Sequence, residues 1–83
     1  MSLNKVEVVW KDAFDGPGGW LIADDYAPVP VHPTTIGFLL PDYLEGHVTV
    51  CSSYFYDYEE QLVISNPNHI PDGMVLSITS IPG

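Results

Sequence analysis

The apolar residues of this chain come in short alternating runs, most of them stopped by proline or glycine before a helix could form. Lys5-Val-Glu-Val-Val-Trp-Lys11 places Val6, Val8 and Trp10 on one face and Glu7 on the other, the period of a half-buried strand. The segment 12–33 follows, with Gly16-Pro17-Gly18-Gly19 and Pro28, Pro30 and Pro33. Those prolines remove backbone donors and fix φ, so neither a helix nor a central strand can cross it. Further strands are predicted at Thr34–Leu40, stopped by Pro41, and at His47–Ser53, with a continuation through Tyr56. Two more follow at Gln61–Ser65 and Met74–Ser80, the last introduced by a tight 3₁₀-like turn at Ile70-Pro-Asp-Gly73. No window of ten residues carries a 3.6-residue apolar period, so the chain is predicted to be all-β.

A domain of 83 residues has room for one small core, and residues 1–83 are read as a single unit. Five short strands, with a long loop after the first and a one-turn helix before the last, match the order of SH3-like and Sm-like barrels. Closure would remove the exposed edges of so small a sheet, so a five-stranded antiparallel barrel is expected. Alternation within each run predicts a core of Val6, Val8, Trp10, Ile36, Phe38, Leu40, Val48, Val50, Leu62, Ile64, Leu76 and Ile78. In the last run a one-residue slip would exchange Leu76 for Val75.

Charge then narrows the function. The chain has two lysines, Lys5 and Lys11, no arginine and eleven acidic residues, for a net charge of −9. With almost nothing to neutralise phosphate, direct binding of nucleic acid or of an anionic membrane surface is disfavoured. A basic partner suits the chain better. No apolar run approaches the roughly 20 residues that span a bilayer, and the Met-Ser-Leu-Asn-Lys start lacks a signal-peptide core. An intracellular location, the cytoplasm, is therefore expected, where the lone Cys51 stays reduced. A small core without a disulfide also favours a homo-oligomer.

The strand wording carries a resemblance. Lys5-Val-Glu-Val-Val-Trp10 with Asp12-Ala13, then Gly19-Trp20, Ile36-Gly-Phe-Leu-Leu40, His47-Val-Thr-Val50, Ile70-Pro71 and Val75-Leu-Ser-Ile78 span most of the chain. This pattern resembles a group of short phage-encoded β-rich proteins with a Trp-ending first strand, a Gly-Trp loop and a closing Ile-Pro…Ile strand. The resemblance implies a phage context and a β-rich fold rather than a reaction, since no catalytic motif belongs to the group, and no cofactor is expected.

The densest unusual segment is Tyr54-Phe-Tyr-Asp-Tyr-Glu-Glu60. Alternation puts Tyr54, Tyr56 and Tyr58 on one face and Phe55 and Asp57 on the other, with Glu59 and Glu60 completing an acidic cluster with Asp57. Tyrosines give rigid contact area with a polar tip, so the segment suits a protein interface or a ligand lid. The plainer reading is a hairpin whose aromatics cover a barrel end and whose acids mark a solvated turn. Trp20 is a second candidate, able to stack on a planar ligand or to fold back and plug the barrel.

Asp12, Asp15, Asp24 and Asp25 are hard oxygen donors, but their spacing is not that of a calcium loop. His32, His47 and His69 lack the paired spacing of a zinc site and sit at strand or turn boundaries. Cys51 has no cationic neighbour in sequence to activate it, and no catalytic triad is recognisable. A non-enzymatic role follows, with two classes of activity. One is a phage accessory protein that inhibits a host defence component, either as an acidic mimic on a host protein or as an oligomer that sequesters a small nucleotide signal. The second version would have to use Lys5, Lys11, backbone donors and aromatic stacking in place of an arginine clamp. The other class is a structural or assembly protein of the phage particle.

Overall fold

The computed structural model describes residues 2–13 and 18–82 and contains seven strands. They are β1 (Lys5–Trp10), β2 (Thr34–Leu40), β3 (His47–Cys51), β4 (Ser53–Tyr56), β5 (Leu62–Ser65), β6 (Asn68–Pro71) and β7 (Val75–Ser80). Two 3₁₀ turns, Ala23–Asp25 and Asp72–Met74, complete the elements, the second at the tight turn that the sequence predicts. Five strands form an antiparallel sheet in the order β6-β3-β2-β1-β7, while β4 and β5 pair only with each other. The chain is thus all-β, but the expected barrel is not formed. Closure needs the two outermost strands to meet, and here β6 pairs with β3, β7 pairs with β1, and both remain edges.

The hairpin departs from the sheet for a local reason. The third run does not continue through Tyr56 as one strand, because it breaks at Ser52 into β3 and β4. Ser52 N–H donates to the Ser65 carbonyl at 3.1 Å, and Asn66 Nδ2 donates to Ser52 Oγ at 3.1 Å. The hydroxyls of Ser53 and Ser65 meet at 2.6 Å. This polar knot satisfies the groups that a continuing strand would have presented to the sheet.

Register explains the core. Val6 pairs with Gly37 and Ser80, and Val8 with Thr35 and Ile78, so these residues share one face. On the same face Leu39 pairs with Val50, and Val48 with Ile70. Val6, Val8, Val50 and Ile70 form the buried cluster, with Trp10, Leu39, Val48 and Val75 packed against it. Each fully buried aliphatic side chain contributes about 1.5–3 kcal/mol by removal from water. Trp10 keeps its polar atom satisfied, since Nε1 donates to Thr35 Oγ1 at 3.0 Å. Leu40 and Cys51 are buried on the opposite face with Thr49. Burial pushes the Cys51 thiol pKa up, which keeps it protonated and unreactive.

Four of the expected core residues, Ile36, Leu62, Leu76 and Ile78, are exposed instead. The register of β1 on β7 shifts between Val9 and Trp10, so that Trp10 faces Val75 and Leu76 is the extra residue of a bulge. The slip takes Leu76 out of the core and brings Val75 in. Leu62 lies in the outlying hairpin, which has no second sheet to cover it. The molecule is correspondingly elongated. Its extents are 60 × 24 × 19 Å and its radius of gyration 17.1 Å, against about 12 Å for a compact domain of this length.

The long loop between β1 and β2 begins as a continuation of their ladder. Trp10 N–H donates to the Pro33 carbonyl and Asp12 N–H to the Val31 carbonyl, each at 3.1 Å. Beyond that bridge the described residues 18–30 are irregular apart from Ala23–Asp25, and all but Tyr26 are exposed. No helix among the described residues is long and apolar enough to cross a membrane.

Candidate binding site at the acidic hairpin

The hairpin tip is built by Asp57. Its backbone N–H donates to the Gln61 carbonyl at 3.0 Å, and its carbonyl accepts from Glu60 N–H at 2.9 Å. Its carboxylate Oδ1 accepts from the backbone N–H groups of Glu59, at 2.9 Å, and Gln61, at 2.8 Å. Aspartate at the first position of a turn does this because its short side chain reaches the donors that the turn leaves open. Glu60 then takes a φ of 61°, the left-handed position that glycine usually fills when such a turn closes a hairpin. A glutamate there costs about 1 kcal/mol more than a glycine would.

The sequence-predicted residues are therefore sorted by the turn. Tyr54 and Tyr56 share a face of β4 and pair with Ile64 and Leu62. Tyr54 packs edge-on against Phe38, with centroids 5.0 Å apart, and its hydroxyl accepts from Leu3 N–H at 3.0 Å. It ties the hairpin to the sheet and the N-terminal segment. Tyr56 meets Tyr54 edge-on at 6.1 Å and remains exposed at its margin. Tyr58 does not continue the row, because the turn interrupts the alternation. It stands at the tip, 95% exposed, with exposed Glu59 and Glu60 beside it. Asp57 is only half-exposed and spent on the turn.

Removing that carboxylate should cost the domain about 1 kcal/mol. Asp57→Ala is expected to lower the thermal midpoint by roughly 4–8 °C. A midpoint within one degree of the parent would show that the turn forms without its side-chain acceptor.

Trp20 lies elsewhere. It is fully exposed, and the shallow depression beside it is lined by Leu21, Ile22, Asp25, Tyr26 and Ala27 of its own loop. It does not fold back as a plug, and the depression beside it has no hairpin residue in its lining. Of the four loop carboxylates, Asp15 lies outside the described residues. Among the described residues no group of three or more His, Cys, Asp or Glu side chains is placed to hold a metal ion.

The histidines have structural partners. His47 Nδ1 donates to the Glu45 carbonyl at 2.8 Å. His69 Nδ1 is 2.8 Å from Thr49 Oγ1, and its ring stacks on Tyr43 at 6.0 Å. His32 is exposed in the loop.

One concavity has no signal in the sequence. A groove of about 750 Å³ runs between the N-terminal segment, Phe38, Tyr54 and the end of the chain, with Lys5, Ser80 and Ile81 on its walls. Its walls come from four separated stretches, so no spacing could announce it. Among the described residues its lining has one basic side chain, Lys5, too few to clamp a polyphosphate. No family model, curated protein or solved structure matches this chain.

Proposed function

We propose that this protein is a non-enzymatic phage accessory protein that binds a basic surface of a host defence protein through the tip of its acidic hairpin. The observation that carries the reading is the tip itself: Tyr58 stands 95% exposed between carboxylates on a turn locked by Asp57. A preformed turn loses little conformational entropy on binding. An exposed tyrosine supplies the apolar anchor and Glu59 and Glu60 the charge, a combination suited to a basic groove that otherwise takes phosphates. Glu60 holds the left-handed position of the turn, at a φ of 61°, with its side chain exposed beside Tyr58. The net charge of −9 steers the approach.

Sequestration of a nucleotide signal is the weaker version of this reading, since the groove beside Lys5 offers one cation. A structural role in the phage particle is favoured by a different observation, the full exposure of Trp20 with Ile22 and Val29 in the long loop. Affinity capture from infected cells separates the two. A basic host defence protein, released by salt, is the expected result, while capsid or tail subunits that resist salt would replace this reading with the structural one.

The tip variant Tyr58→Ala with Glu59→Gln and Glu60→Gln is expected to bind that partner at least tenfold more weakly. Each exposed charge contact is worth about 0.2–1 kcal/mol, the tyrosine adds about 1 kcal/mol or more, and about 1.4 kcal/mol is tenfold. Asp57 is left intact in this variant, so that lost binding is not a lost turn.

A further inference from the structure

We infer that β7 is the self-association edge of the protein, and that a second copy pairs with it antiparallel about Ile78. Ile81 N–H donates to the Lys5 carbonyl at 2.8 Å. In an antiparallel ladder the bonded residues alternate, so Thr79 and Ser77 bond to β1, and the backbone groups of Ile78 and Ser80 point outward. Among the described residues those outward groups have no partner. Edges left in this state are normally blunted by charge, proline or shortness. The other edge, β6, is four residues long and ends at Pro71. β7 has six residues, Val-Leu-Ser-Ile-Thr-Ser, with neither charge nor proline.

Three observations favour a second copy as the occupant. The first is register. A two-fold pairing centred on Ile78 sets Ile78 against its own counterpart and Leu76 against Ser80 of the other copy, an isologous contact. Because Ile78 shares the face of Val8, the row Val8–Ile78 continues into Ile78–Val8 of the second copy. That joins two cores, each with only four residues in its buried cluster. It also covers Ile78 and Leu76, which are 45% and 46% exposed in the single chain.

The second is area. A compact monomer of this mass exposes about 4,900 Å², and this one exposes 6314 Å². The exposed loop and the outlying hairpin account for part of that surplus, and what remains includes the half-exposed Leu76 and Ile78 of β7. The third is charge. The last acidic residue is Asp72, so residues 74–83 carry no charged side chain, and the neighbouring strand β1 carries one charge of each sign, Lys5 and Glu7. The paired strands therefore set no like charges directly against each other, although Asp42, Glu45 and Asp72 line the depression that Ile78 borders.

The experiment is sedimentation and amide exchange of the full chain over a range of concentration and salt. A mass of twice 9.2 kDa is expected, with protection of the Ile78 and Ser80 amides that rises with concentration. Added salt should tighten the dimer, because it screens the net repulsion. Ile78→Lys should weaken the dimer at least tenfold, by removing the central apolar pair and placing two like charges opposite each other. A 9.2 kDa particle at millimolar concentration would overturn the inference. So would a dimer in which the Ile78 and Ser80 amides of the parent protein exchange freely, a measurement that stands even if Ile78→Lys does not fold.

Discussion

Replacing Ile70 by alanine is expected to destabilise the protein by about 2–5 kcal/mol. Ile70 is buried to within 1% on β6, pairs with Val48, and is the largest member of a four-residue buried cluster. A domain of this length has roughly 4–12 kcal/mol of total stability, so the loss takes a large share of it. With so few core neighbours the cavity has little chance of collapsing onto good contacts. In urea the midpoint should fall sharply, or the variant should be unfolded at the start. Ile36→Ala, at an exposed position of β2, should stay within about 0.5 kcal/mol of the parent. Similar effects at the two sites would mean that this cluster is not the core.

The second large effect is expected at Gly37. A Cβ built there would lie 2.5 Å from the Cys51 carbonyl oxygen and 3.0 Å from Val50 Cγ1. The first contact is with backbone in the neighbouring strand and cannot be relieved by a rotamer change. Gly37→Ala should therefore push β2 away from β3 where β3 ends and the hairpin begins, at a cost of about 1–3 kcal/mol. The same change at Gly73, where a Cβ would meet nothing within 4 Å, is the control and should be near neutral. Equal denaturation midpoints for the two variants would show that the close approach is absent in solution.

The strand positions were legible because alternation is a local property. Thr34–Leu40 is a strand over the residues that its pattern marks, and the 3₁₀ turn Asp72–Met74 overlaps the expected Ile70–Gly73, whose first two residues instead end β6. The barrel was overread for a non-local reason. Nothing in Asn68-His-Ile-Pro71, with one apolar residue and a proline, marks a strand, yet it pairs with β3 through its backbone and becomes an edge. The bulge that exchanges Leu76 for Val75 is likewise set by the pairing with β1, and both registers satisfy the same alternation.

At the hairpin, composition pointed to the acidic aromatic segment but could not divide its labour. Only the turn geometry separates Asp57, which holds the loop, from Tyr58, Glu59 and Glu60, which present it. The groove beside Lys5 was invisible for the opposite reason, since its walls are brought together entirely by pairing.

The central claim, that the locked acidic tip binds a basic protein surface, is tested most directly by the salt dependence of one affinity. The captured partner would be titrated with the parent protein and with the Tyr58→Ala, Glu59→Gln, Glu60→Gln variant across ionic strength. Screening of exposed charge contacts predicts that the parent weakens steeply with salt and that the variant starts weaker and depends on salt less. Equal affinities with equal salt slopes would contradict the claim and leave the tip as a solubilising turn.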